Sequence, residues 1–504
     1  MNKYLKYIIF GSIVVLLFSI IQAKIHEFLG IDAYYHAHVT QLILESNNLI
    51  DKFPWLQYTI LNDNFVEHHL FFHVLLTPFF KLFSPFLAAK IAVVLFSSGF
   101  IFVFLAILKK LKIKYPIFWS LLMLFSSSWL IYRLNLLRAQ SIALILLMLG
   151  IYFLLQKKYL ALIPITILYT WLFDGFVILG IVIAVKVAVD LYYLIRTKNK
   201  NLYKDIFYPP LYYLSGILIA IIFNPYFPRN IYHLFFHLYQ VALKDPFSSM
   251  PVGVEWYMST PEFFISSAFI IITLLSLSIF ALIYYKVKKI RLPKNILFLF
   301  TLALIFFFLT IVVRRLIEYS APIIILLAAY LFTLNYNRIR SLAKQFTCFK
   351  KLSSLKFILI ILLFTAAIYN FQDVYFNLNN DAEERINVKK AADWMAKNIN
   401  PGEIIYHLDW SESVQLIYYN DQHYYIAGLD PNFMKEYDLD LYQKWHQLFT
   451  QTNLEQSFQI IKNDFMAKYV YVNNKYDKFI DNANSDPRFK HIYSNDTATI
   501  YNLE

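Results

Sequence analysis

The stretch GIDAYYHAHVTQLILESNNLIDKFPWLQYTILNDNFVEHHLFFHVLLTP, residues Gly30 to Pro78, interrupts an otherwise oily sequence. Asp32, His36, His38, Asp63, Glu67, His68 and His69 crowd into it, just after a first apolar run and just before a long series of others. Carboxylates and imidazoles activate hydroxyl groups and hold divalent cations, so their concentration beside a membrane marks a candidate site. The bland alternative is a solvated loop, in which such residues are common and idle.

Working outward, the composition defines the class. Of 504 residues, 59% are hydrophobic and 19% aromatic, and the mean hydropathy is +0.50. A soluble core does not need so many long apolar runs, so the chain reads as a polytopic α-helical membrane protein. The single cysteine, Cys348, excludes an internal disulfide and a cysteine metal cluster. The net charge of +13 does not point to nucleic acid. From Phe371 on there are 20 acids and 12 bases, against 34 bases and 13 acids before it, and the early bases sit mostly in loops between apolar runs.

Apolar runs near 7–23, 87–107, 116–132, 140–156, 159–173, 175–194, 206–223, 263–285, 295–313, 321–336 and 356–371 predict about eleven spans. The first is read as an anchor rather than a cleaved leader, since it has no clear small-residue cleavage site. Segment 69–84 is short, contains Pro78 and precedes Ser84-Pro85, so it is assigned to the membrane interface. The charges favour that choice. Lys109 to Lys114, Lys157-Lys158, Arg196 to Lys204, Lys286 to Lys294 and Arg338 to Lys356 all fall on one side only if 69–84 does not cross. The N-terminus is then cytoplasmic, while the loop 24–86 and the C-terminal region are extracytoplasmic, as expected of a multi-pass inner-membrane protein.

On that outer side lie Arg133, Arg138, Arg314 and Arg315, against the rule that orders the other bases. Outward arginines at membrane level are candidates for holding an anion such as a lipid phosphate, with simple snorkelling as the alternative. After residue 370 the long apolar runs stop. A helix over Ala382–Asn398 and strands near Glu403–Leu408, Tyr424–Ala427, Lys468–Val472 and His491–Tyr493 predict a soluble α/β domain. The expected division is therefore 1–370 as a transmembrane module and 371–504 as an extracytoplasmic domain. There is no Gly-rich phosphate loop, zinc-finger spacing or internal repeat.

A first helix, an external loop opening Ile31-Asp32-Ala33-Tyr34-Tyr35 and a later Glu67-His68-His69 before a juxtamembrane helix together resemble the GT-C superfamily of membrane glycosyltransferases. The resemblance extends to lipid A aminoarabinose transferases, protein O-mannosyltransferases and oligosaccharyltransferase catalytic subunits. As architecture it covers the whole chain, but as motif only Asp32 and Glu67. It implies a polyprenyl-phosphate- or diphosphate-linked sugar donor and a lipid, glycan or protein acceptor. It also implies Asp32 and Glu67 as catalytic acids and a divalent ion (Mg, Mn or Zn) held by Asp32, Glu67 and His68. Arg314, Arg315, Arg138 and Arg133 would bind the donor phosphate. Membrane lipids are expected partners and nucleic acid is not.

Two features depart from the pattern. The turn after the third span carries Arg138-Ala139-Gln140 instead of acids. The sequon-reading Trp-Trp-Asp type of motif is matched only by Leu408-Asp409-Trp410-Ser411, which argues against asparagine-linked transfer. Competing readings are a transporter or flippase for a lipid-linked saccharide, a polysaccharide ligase or polymerase of another membrane fold, and a non-catalytic envelope protein. Asp32 itself also suits a helix N-cap.

Overall fold

The structure is a computed structural model that describes residues 3–239, 253–345, 352–378 and 382–503. It separates into two compact units. One comprises Met1–Lys24, Lys90–Pro225 and Phe247–Asn377, and the other Ile25–Ala89, Tyr226–Pro246 and Leu378–Glu504. The boundary expected near residue 370 follows composition, whereas compactness groups the first external loop with the C-terminal region.

The first unit is helical. Among the described residues, seven helices are long and apolar enough to cross a membrane, or eight if one bent pair counts as a span, and Leu70–Leu82, Gln140–Leu155, Tyr159–Leu172 and Ile360–Phe376 are shorter apolar helices. Large side chains such as Leu16, Leu218, Phe280 and Phe364 stay exposed along these helices, as side chains facing lipid would be.

The run 116–132, expected as one span, forms Pro116–Leu124 and Ser128–Leu134 at 85° to each other, the geometry of a broken span or a re-entrant loop. The break falls at Ser126-Ser127. Ser127 is extended and its side chain accepts from Leu130 N, capping the second helix. Serine hydroxyls compete with the helical ladder in this way. The bend starts a new short helix carrying Arg133.

At the end of this unit expected to face the cytoplasm, charges are paired. Asp190 lies 2.5 Å from Lys186 and 2.6 Å from Lys294. Asp205 meets Lys157 at 2.6 Å and Lys294 at 3.2 Å, and accepts from Tyr159 Oη at 2.7 Å. Lys294 thus joins two carboxylates, tying three helices that are separate in sequence.

The second unit contains a five-stranded sheet: β1 (Ile404–His407), β2 (Tyr424–Tyr425), β3 (Tyr469–Asn473), β4 (Phe489–Ser494) and β5 (Ala498–Leu503). The order is β2-β1-β3-β5-β4. Strand β1 runs parallel to β2 and β3, and β5 runs antiparallel to β3 and β4. The helix Ala382–Asn398 has the bounds the sequence predicts.

The loop expected to be external is built into this sheet domain. Leu56 bridges Tyr425 in parallel. Tyr425 N donates to Trp55 O at 2.7 Å, Gln57 N to Tyr425 O at 2.9 Å and Tyr58 N to Ile426 O at 3.1 Å. Tyr35, Val39, Phe53, Leu56 and Phe65 share one apolar core with Met395, Ile405, Tyr425 and Phe433. Backbone pairing satisfies the loop's amides and the shared core removes its aromatic surface from water, so the loop is held rather than loose.

Candidate active-site groups

In the second unit, Gly30 takes φ +81°, a backbone turn that suits glycine, and the helix Asp32–Ser46 follows. The N-cap position falls on Ile31, with no side-chain cap, and Asp32 stands in the first turn. Asp32 is exposed, whereas Ala33 to Thr40 are buried. Its carboxylate is reachable and lies at the end of a helix where negative charge is favoured.

Glu67 is 1% exposed. It accepts from Tyr35 Oη at 3.3 Å and from His69 N at 2.8 Å. His73 Nδ1 lies 3.1 Å from Glu67 Oε2, off the line of a good hydrogen bond, and His36 Nδ1 lies 2.8 Å from His73 Nε2. The phenol of Tyr35 is pushed well up by burial first and then by the Glu67 and Asp32 carboxylates. It stays protonated and can serve Glu67 as a donor.

Glu67, His68 and His69 present ligand atoms that all lie within 4.8 Å of one another. A single divalent ion can bridge that spacing with small adjustments. One carboxylate and two imidazoles suit zinc or manganese better than magnesium, which prefers oxygen. Asp32, expected among the ligands, lies outside this set, and His69 takes a place in it. Burial, and then the imidazoles of His69, His237, His233 and His73, push the pKa of His68 well down. That keeps His68 in the neutral form that ligates metal. The rings of His68 and His237 are 4.9 Å apart.

In the first unit, the four arginines expected on the outer side do not behave alike. Arg133, 2% exposed, donates from Nε to Glu318 Oε2 at 2.6 Å and from Nη1 to Glu255 Oε2. Arg138 Nη1 reaches the same Glu255 oxygen at 2.8 Å, and Arg315 Nη1 reaches Glu255 Oε1 at 3.2 Å. Arg315 also lies 5.1 Å over the Trp256 ring. Arg314 stands apart, donating from Nε to Met258 O at 3.2 Å and lying 5.5 Å over Phe263. Burial acts to raise the pKa of Glu255, but Arg138, Arg315 and Arg133 overrule it and hold the carboxyl far below the usual range.

Sequence reasoning passed over Glu255, the His36–His73 pair and His237. Glu255 is one of three acids in the long 224–262 loop, with Asp245 and Glu262, and pairs with Arg133 and Arg138 more than a hundred positions before it and with Arg315 60 positions after it. Acids in a loop opposite unexplained arginines were the available signal.

The fold is that of the GT-C glycosyltransferases. The chain is similar along its full length to the oligosaccharyltransferase of Archaeoglobus fulgidus, solved with a tethered acceptor peptide, with a TM-score of 0.60 at 12% identity over 100% of this chain and 74% of that one. It is also similar to ArnT from Cupriavidus metallidurans. The TM-score is 0.57 at 11% identity for the form bound to undecaprenyl phosphate and 0.54 at 12% identity for the apo form, each over 99% of this chain and 98% of that one. No protein-family model matches the sequence, and no curated protein matches it.

Proposed function

We propose that this protein is a membrane glycosyltransferase that moves a sugar from a polyprenyl phosphate or diphosphate to an extracytoplasmic acceptor. The observation that carries the reading is the full-length GT-C fold with an exposed acid, Asp32, opening the external loop that later brings Glu67, His68 and His69 together. The acceptor hydroxyl gives its proton to Asp32 as its oxygen attacks the anomeric carbon. The bond from that carbon to the phosphate oxygen breaks, and the phosphate leaves with the electron pair. A single displacement inverts the anomeric centre. Glu67, held by Tyr35, the His69 amide and His73, keeps its neighbours in place.

A divalent ion bound by Glu67, His68 and His69 would supply positive charge toward developing negative charge. Arg138 and Arg315, with Arg133 behind them and Arg314 nearby in sequence, are assigned to the donor phosphate, which arginine forks match. The transporter alternative expects inward-facing charges in the middle of spans. Lys186 instead pairs with Asp190, which lies toward the Thr197 end of the helix Phe176–Thr197 and also pairs with Lys294, which favours the enzyme. The protein is placed in the cytoplasmic membrane with its N-terminus inside.

The test is reconstitution in sealed vesicles with a labelled polyprenyl-linked sugar pool and cell-envelope acceptors. Release of free polyprenyl phosphate, matched by label on an acceptor, is expected. Movement of intact lipid-linked sugar across the bilayer without cleavage would replace the enzyme with a transporter.

A further inference from the structure

Three guanidinium groups, from Arg133, Arg138 and Arg315, converge on the one carboxylate of Glu255. A second carboxylate, Glu318, takes the other side of Arg133 at 2.6 Å and faces Arg315 Nε at 3.8 Å. The two acids are not equivalent. Glu318 is 1% exposed and sits in the first turn of the helix Ile317–Gln345, where the backbone also favours a carboxylate. It is a fixed counter-charge. Glu255 sits on one short 3₁₀ turn, Val254–Trp256, and its side chain is 17% exposed. The residues after it, Trp256, Tyr257 and Met258, are exposed apolar side chains. The ties of this turn include the Arg315 contact over the Trp256 ring and the bonds from Arg314 to Tyr257 O and Met258 O.

The arginines are also incompletely used. Among the described residues, Arg133 Nη2 is buried and donates to nothing. An unfilled guanidinium donor in a buried position costs free energy, which an acceptor that reached it would recover. A carboxylate offers two oxygens, whereas the phosphate monoester of the released carrier, or a diphosphate, offers at least a third and can satisfy the same forks and Nη2 as well.

We propose that Glu255 is an internal stand-in for the donor's phosphate, occupying the Arg133–Arg138–Arg315 cluster when no lipid phosphate is bound and yielding it when one arrives. This rests on the reading of these arginines as phosphate ligands. The consequence is catalytic economy. Without a competitor, three arginines would grip the spent polyprenyl phosphate as firmly as the incoming donor. Glu255 lowers the affinity for both and speeds release of the carrier. It also keeps three like charges, one of them buried, from facing one another in the empty protein.

The test uses the full-length protein in phosphatidylcholine nanodiscs, with undecaprenyl phosphate as the probe. Glu255→Gln removes the charge at nearly constant size and is expected to bind the lipid about tenfold tighter than wild type, the scale of removing one competing charge at a recognition site. Glu255→Asp, which withdraws the carboxylate by one methylene, is expected to fall between the two. In the wild-type protein, backbone amides of residues 253–257 are expected to exchange faster with solvent deuterium when the lipid is bound. That measurement does not depend on how any variant folds.

Equal or weaker binding by Glu255→Gln, or lipid binding with no change in exchange at 253–257, would overturn the stand-in role. If binding is then still lost in Arg138→Gln, the arginines remain phosphate ligands and only the role of Glu255 fails. If neither wild type nor Glu255→Gln binds, both readings fail. Inorganic phosphate and phosphatidylglycerol nanodiscs form the comparison arms. Tightening confined to undecaprenyl phosphate supports a carrier site, and equal tightening for all three would reduce the cluster to a general anion trap.

Discussion

His36 Nδ1 and His73 Nε2 lie 2.8 Å apart, and both rings are buried. One nitrogen must donate and the other accept. If the His73 proton sits on Nδ1, 3.1 Å from Glu67 Oε2, Nε2 accepts and His36 donates. The pair thereby couples the tautomer of the ring behind Glu67 to that of His36. Supports of this kind orient metal ligands and typically contribute 10–100-fold to affinity. His73→Leu is expected to weaken zinc or manganese binding by about that factor while Glu67, His68 and His69 remain. Titration of metal-stripped protein checks it. Undiminished affinity would free His73 of the role, and wild-type protein that takes up no ion would remove the metal from the site.

The junction between the external loop and the sheet domain has a tight point at Gly428. A Cβ there would meet Ser413 Oγ at 2.0 Å, Ser413 Cβ at 2.8 Å and Leu56 Cδ2 at 3.0 Å. Ser413 cannot turn away without loss, since its hydroxyl donates to Trp410 O at 2.8 Å. Gly428→Ala is therefore expected to destabilise the second unit by about 1–3 kcal/mol, the usual scale for overpacking. Gly99→Ala, where the nearest neighbour is Ile145 Cδ1 at 3.7 Å, serves as a tolerated control. Thermal melts of the two variants that coincide would show that the junction has slack.

Acid should loosen the same unit. Burial lowers the pKa of His38 from 6.5 to about 4 against a weak pull from Asp421. Burial also lowers that of His407 to about 4, opposed by the Asp409 carbonyl. Between those values the unfolded chain binds protons that the folded protein refuses. The contribution to stability is therefore complete above 6.5 and lost as pH falls from there toward 4, at up to about 1.4 kcal/mol per pH unit for each histidine. His38→Gln is expected to flatten part of this dependence, read as melting temperature from about pH 7 to about pH 5. A variant whose melting temperature falls as steeply as wild type's would mean that His38 already charges in the folded state.

Much of this architecture is legible in local pattern. The apolar runs, the helix Ala382–Asn398 and strands β1 and β3 follow from period and composition alone. The tail's last strand, Ala498–Leu503, was not, because one short run after Asp496-Thr497 reads as a terminus until its partners are known. It lies between β3 and β4. The 85° bend had a signal in Ser126-Ser127-Ser128, but apolar length outweighed it. Asp32 and Glu67 stood out because they break an oily context. The Arg133–Glu255 and Arg133–Glu318 pairs did not, since residues 122 and 185 positions apart share no local periodicity.

Asp32 is the residue on which the enzymatic reading turns. Its exposure leaves it open to an acceptor, and the cap position beside it falls on Ile31 without a side-chain cap. Little of the helix's stability therefore rests on an Asp32 cap bond. Asparagine matches aspartate in size and in hydrogen-bonding reach, but it neither takes a proton nor attracts a cation comparably. Asp32→Asn is expected to express, insert and melt like wild type while losing about 100-fold or more in the rate of sugar transfer, the common scale for removing a general base. Donor affinity should change little, because the arginines assigned to the phosphate are untouched. A rate that falls together with folding yield would show a structural role. Near-native transfer by well-folded Asp32→Asn protein would show that another group accepts the proton.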